Sequence, residues 1–259
     1  MIVVGSAETH VTAVVASLPE EIAPLRSLLT EIGRVRTGAL LVESGRLGGR
    51  WVALSATGDG AGNARVGIAE LLAASRPSAL VVIGVAGGLS SGLPTAALVV
   101  ARRVTDEAGR SFAANAGQVA AAARATGGRT AVVVSAARIA DSASEKRRLS
   151  HQAGAGEDAA VVDLESATYV AAAAASGIPW LVLRAVSDTA DEALPDLLNR
   201  SRDEGGAVLR GQVVLRLLRQ PRALPFLLAL RWRVGQCAEV LARAVQAALP
   251  VFYAPGGER

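Results

Sequence analysis

The chain of 259 residues is most informative first in what it lacks. Lys146 is its only lysine and Cys237 its only cysteine, and His10 and His151 are its only histidines. One cysteine excludes an internal disulfide, and two histidines are too few for a histidine-rich metal cluster, so no metal site is expected. A reducing cytoplasm fits that usage. Aromatic residues make up only 3% of the chain against 51% hydrophobic residues, so Val, Leu, Ile and Ala must build the core. The scarcity of aromatics also argues against a single-strand nucleic-acid platform. The net charge of +4 is carried almost wholly by arginine, which reads as composition bias and not as a nucleic-acid surface. No apolar run approaches the ~20 residues needed to cross a bilayer; the longest late one is Leu224 to Leu230. The first basic residue is Arg26, so the charged start of a signal peptide is missing. No Gly-Lys-Ser/Thr occurs, which excludes a P-loop.

What is present is an alternation of buried strands and helices. Val11–Ser17 reads as a strand, followed by a helix that starts at Leu18-Pro19-Glu20-Glu21 and continues to about Ile32. Strands Ala39–Ser44 and Trp51–Ala56 flank the turn Gly45-Arg46-Leu47-Gly48-Gly49. A helix from Ala64 to about Ser75, then strand Ala79–Val85, completes a βαβ unit. The alternation continues through strand Ala96–Arg103, helix Ala114–Ala125, strand Arg129–Ser135, helix Ser144–Gln152, strand Ala160–Val162, helix Ser166–Ser176 and strand Pro179–Val186. The expected fold is therefore α/β, a single domain over residues 1–195. Residues 196–259, with helical periodicity over Gly205–Gln220 and Arg222–Ala248, form a helical C-terminal extension packed on it.

Three places carry chemistry. The run Gly58, Gly60, Gly62 between strand and helix suits a backbone cradle for an anion, but its spacing is not that of a dinucleotide fingerprint. Ala86-Gly87-Gly88 lies at the carboxyl end of a strand, where open α/β sheets bind ligands; a simple tight turn explains it equally well. The strongest signal is acidic: Asp163-Leu164-Glu165 ends one strand, and Arg184-Ala185-Val186-Ser187-Asp188 ends the next. Charged groups there are costly to bury unless paired or used. Helix caps at Asp163 and Asp188, with an internal Arg184 ion pair, account for them as well as a catalytic site does.

Taken together the motifs resemble a known family. Val162-Asp163-Leu164-Glu165-Ser166 and Gly177-Ile178-Pro179 through Arg184-Ala185-Val186-Ser187-Asp188-Thr189-Ala190-Asp191 look like the signature of the nucleoside phosphorylase and methylthioadenosine/S-adenosylhomocysteine nucleosidase superfamily. Gly84-Val85-Ala86-Gly87-Gly88-Leu89, Thr57-Gly58-Asp59-Gly60 and Ser17-Leu18-Pro19-Glu20-Glu21 match its other motifs in order. The resemblance implies a twisted, partly closed mixed sheet flanked by helices, and a homo-oligomer. It implies cleavage of a purine nucleoside, with Asp188 protonating N7 supported by Ser187, and Glu165 holding the ribose hydroxyls. Leu164 and the backbone at Ala86-Gly87 would line the base and sugar site.

Glu21 stands where the nucleosidases position water; an ordinary acid at a helix start is the alternative. For phosphorolysis, with phosphate as co-substrate and no other cofactor, Arg26, Arg65 and Arg184 are candidate anion ligands. A proton-donating Asp188 requires burial or a neighbouring acid to keep its proton near neutrality. Asp163-Leu164-Glu165-Ser166 and the tail from Ala193-Leu194-Pro195 look more like the hopanoid-associated branch, whose members release adenine from adenosylhopane; methylthioadenosine, S-adenosylhomocysteine and futalosine are the alternative substrates. From a different class, a non-catalytic nucleoside binder or peripheral membrane protein also fits. Between Leu209 and Arg233 lie six arginines and no acid, which suits either an amphipathic helix on the core or a segment touching an anionic membrane.

Overall fold

In the computed structural model, which describes residues 10–154, 159–201, 203 and 224–253, the chain alternates strand and helix as its hydrophobic pattern requires. The strands are β1 Val11–Ala16, β2 Thr30–Thr37, β3 Leu40–Leu47, β4 Arg50–Ala56, β5 Ala79–Gly88, β6 Leu98–Asp106, β7 Ser111–Ala113, β8 Arg129–Ser135, β9 Ala159–Asp163 and β10 Trp180–Asp188. The helices are α1 Pro19–Ser27, α2 Ala61–Ser75, α3 Ala116–Thr126, α4 Ala143–Gln152, α5 Ser166–Ala175, α6 Leu197–Arg200 and α7 Leu224–Ala248, with a closing 3-10 turn Leu249–Tyr253. The helix expected over Gly205–Gln220 lies outside the described residues.

One sheet contains all ten strands in the order β10-β6-β8-β9-β5-β1-β4-β3-β2, with β7 on the edge of β6. An additional β10–β5 pairing closes β5, β10, β6, β8 and β9 into a ring. Strand β5 makes this possible by changing partners along its length. Ala79 to Val82 pair in parallel with β1, whereas Gly87 and Gly88 pair antiparallel with β9. On its other side, β10 runs parallel to it from Leu80 to Gly87. The sheet is thus mixed and partly closed, and the carboxyl ends of β5, β9 and β10 meet at one place.

Apolar residues on alternate faces of the strands define two core layers. One contains Ile68 and Leu71 of α2 with Tyr169 and Val170 of α5, packed on Ala13, Leu80 and Val182. The other contains Ile22 and Leu25 of α1 with Leu241 and Val245 of α7, packed on Val14, Val81 and Leu183. Helix α7 therefore seals the same sheet as α1 and belongs to its core.

Two local expectations need correction. The first helix ends at Ser27, and Thr30–Thr37 is an edge strand on β3. Ile22, Leu25, Leu29 and Ile32 continue a helical spacing on paper, but Glu31 takes φ 54° and the β2–β3 register shifts between Thr30 and Gly33, so a bulge starts the strand. Exposed Arg34 and Arg36 suit an edge. The second correction is the hairpin, which turns over two residues, with Leu47 opposite Arg50. Gly48 and Gly49 both have positive φ, 56° and 81°, as the tight hairpin turn demands. The short strand β7 had no legible pattern.

Candidate active site

Where the ends of β5, β9 and β10 converge, a cavity of about 250 Å³ opens. Its polar lining comprises Ser17, Glu21, Asp59, Asp163, Glu165, Ser187 and Asp188, with Val85, Ala86 and Gly87 along one strand. Ile139, Leu164, Leu194, Leu198, Leu230 and Val234 form an apolar wall, the last two from α7. The structure thus gathers Glu21, Ala86, Gly87, Leu164, Glu165, Ser187 and Asp188 around one space. Arg184 is the candidate that it places elsewhere.

Glu21 sits in the first turn of α1, which Pro19 starts. Its Oε2 accepts from Ser17 Oγ at 3.1 Å and from the Leu18 N–H at 2.9 Å, while Oε1 accepts from the Val85 N–H at 2.8 Å. Burial raises its pKa above the ordinary value, against the nearby charge of Arg184 and those three donors. Gly84 lets these groups meet: a Cβ there would lie 1.9 Å from Arg184 Nη1 and 2.9 Å from Glu21 Oε1.

Glu165 follows β9. One oxygen, Oε1, accepts from the Gly60 N–H at 2.7 Å. Gly60, with φ 87°, turns its N–H toward this acid at the start of α2, so that donor of the glycine run serves a carboxylate of the protein. Burial, reinforced by the charge of Asp163, pushes the Glu165 pKa up to about 7, with the Gly60 bond opposing.

The structural explanation of Asp163 and Arg184 is what the geometry displays. Arg184 Nη2 pairs closely with Asp163 Oδ2 and donates to Ser166 Oγ at 2.8 Å. Asp163 Oδ2 also accepts from the Ser166 N–H at 3.0 Å, and Oδ1 from Ser135 Oγ at 2.7 Å. Arg184 is fully buried beneath the cavity and is absent from its lining. Of the other arginines considered for phosphate, Arg26 pairs with Glu43 and Arg65 lies exposed on α2.

Asp188 ends β10. Its Oδ1 accepts from Ser187 Oγ at 2.6 Å, and that hydroxyl also lies 3.3 Å from the Ala86 carbonyl. Its Oδ2 accepts from Lys146 Nζ at 2.6 Å. Gly87 makes room for this carboxyl, because a Cβ there would come within 3.0 Å of Oδ2. The carboxyl is buried, which meets one of the two alternative conditions set for it, and the charged neighbour in contact with it among the described residues is the cation of Lys146. Lys146 is the site residue that sequence reasoning missed. The available signal was its being the sole lysine, in a chain that elsewhere uses arginine.

The wall is tied down by side chains. Asn199 Oδ1 accepts from the Ile139 N–H at 3.0 Å, and its Nδ2 donates to Ile139 O and Asp141 Oδ2, both at 2.8 Å. Arg233 of α7 donates to both carboxylate oxygens of Glu192, at 2.7 and 2.8 Å. Among the described residues no cluster of His, Cys, Asp and Glu is arranged to hold a metal ion.

Residues 11–219 match the Phosphorylase superfamily, and the chain belongs to that family. It is 25% identical over 203 residues to a 5'-methylthioadenosine/S-adenosylhomocysteine nucleosidase of Haemophilus influenzae strain PittGG, covering 69% of this chain and 86% of that protein. Its fold is similar to the 5'-methylthioadenosine/S-adenosylhomocysteine nucleosidase of Neisseria meningitidis in complex with methylthio-immucillin-A, with TM-score 0.74 and 20% identity over 93% of this chain and 98% of the other. It is also similar to a futalosine hydrolase mutant of Helicobacter pylori, with TM-score 0.71 and 16% identity over 93% and 99% of the two chains.

Proposed function

We propose that this protein hydrolyses the N-glycosidic bond of an adenine nucleoside carrying an apolar 5' substituent. The observation that carries the choice of water over phosphate is the charge of the cavity. Five acids line it, Glu21, Asp59, Asp163, Glu165 and Asp188, and no lysine or arginine does so among the described residues. A phosphate dianion in such surroundings is repelled and finds no cationic donor. Water needs only an acceptor, and Glu21 supplies one from a fixed position at the start of α1.

In this reading Glu165 accepts from the ribose hydroxyls through Oε2, since Oε1 is held by Gly60. As the glycosidic bond stretches, positive charge develops on the sugar, and the neighbouring carboxylates stabilise it. Asp188 transfers a proton to the purine N7, so that the base leaves neutral; the bonding pair of the broken bond goes to the base. General acid catalysis of this kind contributes ~10²–10⁴-fold. Water attacks the sugar carbon and gives up its proton toward Glu21, whose affinity for a proton burial raises above that of an ordinary carboxylate. The superfamily membership and the nucleosidase relatives support the reaction class.

The apolar wall of Ile139, Leu164, Leu194, Leu198, Leu230 and Val234 supports the choice of 5' substituent. Incubation with 5'-methylthioadenosine, S-adenosylhomocysteine, futalosine and a 5'-hopanyl adenosine, with and without phosphate, tests both parts by following free base. The expected result is phosphate-independent release that is fastest for an apolar substituent. No release from any of them sinks the reading, and release that requires phosphate removes Glu21 as the water-holding group.

A second reading concerns partners. Leu224, Leu228 and Trp232 are exposed at four-residue spacing on α7, opposite Leu230 and Val234 of the cavity wall. That stripe supports a peripheral membrane contact beside the substrate's apolar end, with homo-oligomer formation the competing use of the same face. Sedimentation with anionic liposomes, before and after Trp232→Glu, separates them: lost sedimentation marks a membrane contact, and a changed hydrodynamic mass marks an interface between copies.

A further inference from the structure

Lys146 projects from α4, where it and Leu149 are the residues turned into the core. Its side chain is 1% exposed. An ammonium has three donors and no acceptor. All three are spent: on Asp188 Oδ2 at 2.6 Å, on the Thr189 carbonyl at 2.6 Å and on the Glu192 carbonyl at 2.9 Å. Nothing is left to donate to a substrate, and Lys146 does not line the cavity. Its charge nevertheless reaches the reacting centre through one oxygen of Asp188.

We propose that Lys146 is a positioning residue that assigns the two oxygens of Asp188 different tasks, fixing Oδ2 and leaving Oδ1 as the atom that carries and delivers the catalytic proton. This rests on the hydrolytic reading above. Oδ2 is enclosed between the ammonium and Gly87, whereas Oδ1, among the described residues, accepts only from the Ser187 hydroxyl. When Oδ1 is protonated it donates to Ser187 Oγ or to the purine, and the Ser187 hydrogen turns to the Ala86 carbonyl 3.3 Å away. In the reaction the Oδ1–H bond breaks as N7–H forms, and the electron pair stays on the carboxyl group. The negative charge so created already faces an ammonium, which favours the transfer. The same ammonium draws residues 189–192 around itself, and Glu192 pairs with Arg233 of the helix that walls the cavity. Acid and wall are thereby held in one register.

The charged and titratable groups around Asp188 are few. Lys146 comes from α4, Cys237 from α7, Glu192 from the loop that follows β10, and Glu21, Asp163 and Glu165 from across the cavity. Cys237 donates to the Val186 carbonyl, and burial pushes its thiol up to about 11, so it stays neutral in the relevant range. Among the described residues Lys146 is the one cation in contact with the carboxyl, and its removal takes away a charge that favours the ionised form.

The test compares wild type with Lys146→Met and Lys146→Arg in adenine release against pH, with a 4-nitrophenyl ribofuranoside, whose leaving group needs no proton, as control. In Lys146→Met the maximal kcat for the nucleoside falls at least tenfold and the alkaline limb moves up by one pH unit or more. Cleavage of the nitrophenyl substrate stays within a few-fold, and Lys146→Arg, if folded, returns the limb toward wild type. An unmoved limb, or equal loss on both substrates in a folded variant, overturns the proposal.

If neither variant folds, or wild type proves inactive on nucleosides, the sole lysine offers a readout independent of activity. In protein labelled with 15N-lysine, one Nζ resonance is observed. The proposal requires that it titrate with the Asp188 carboxyl and lose that titration in Asp188→Asn. Identical titrations in the two proteins reject it, whether or not the protein cleaves nucleosides.

Discussion

The two sides of the cavity bury their acids in opposite ways. On the side of β10, Asp188 is held by the Lys146 ammonium, and Asp163 of the lining is held by the buried Arg184 guanidinium. On the side of α1 and β9, no cation among the described residues contacts Glu21 or Glu165, which rely on the Ser17 hydroxyl and the N–H groups of Leu18, Val85 and Gly60. Backbone dipoles offset only part of the desolvation, so both glutamates hold their protons more tightly than in water. Buried cations thus hold their acids by charge, whereas burial pushes the backbone-held acids toward the protonated form. The acids with raised proton affinity are the two proposed to meet water and sugar.

Breaking a cation-held acid should have the largest effect. Asp188→Asn keeps the shape of the carboxyl but removes its proton donor, and adenine release should fall by ~10²–10⁴-fold in kcat. Full retained activity would refute the proton-donor role.

Next comes the floor. Arg184→Met leaves Asp163 buried without its partner, which should cost about 3–5 kcal/mol in urea unfolding. A loss below ~1 kcal/mol would mean that Ser135 and the Ser166 N–H satisfy Asp163 unaided.

The backbone-held side is sharpened by pH. A carboxyl whose folded pKa lies above its unfolded one stabilises the fold fully below the unfolded value and loses that contribution as pH rises through the folded value. For Glu165 the window runs from its ordinary 4.5 to about 7, and Glu21 shifts in the same direction. Unfolding free energy should decline across that window, by on the order of 3 kcal/mol from Glu165. Chemical denaturation at pH 5 and pH 8 measures it; a flat profile contradicts the burial argument.

The smallest effect is Glu165→Gln. This variant should flatten part of that decline and be the more stable protein at pH 8 by about 1–3 kcal/mol, while KM for the nucleoside rises. Unchanged KM would remove Glu165 from the ribose.

How much of this was legible in the chain depends on the range of the forces involved. The strand-helix alternation and the acids at the ends of β9 and β10 are local patterns, and the structure brings Glu21, Glu165 and Asp188 to one cavity. The β2 strand was hidden because Ile22, Leu25, Leu29 and Ile32 satisfy a helical period; only pairing with β3 decides against it. Lys146 was hidden for a different reason. Nothing near it in sequence marks it, and its partners lie 42 to 46 residues further along. Arg184 was legible as an ion pair, and burial decided between that role and a substrate contact.

The closed ring of β5, β10, β6, β8 and β9 makes the two boundaries of the cavity unequal in stiffness. A hoop with no free edge cannot spread without breaking ladder hydrogen bonds on both flanks of a strand, so the strand side of the cavity is a rigid rim. The opposite boundary is made of Ile139, Leu194, Leu198, Leu230 and Val234, fastened by the Asn199 bonds and the Arg233–Glu192 pair. Among the described residues those fastenings lie outside the ladder hydrogen bonds of the sheet. Adjustment of the cavity to its contents therefore falls to the helical wall before it falls to the sheet.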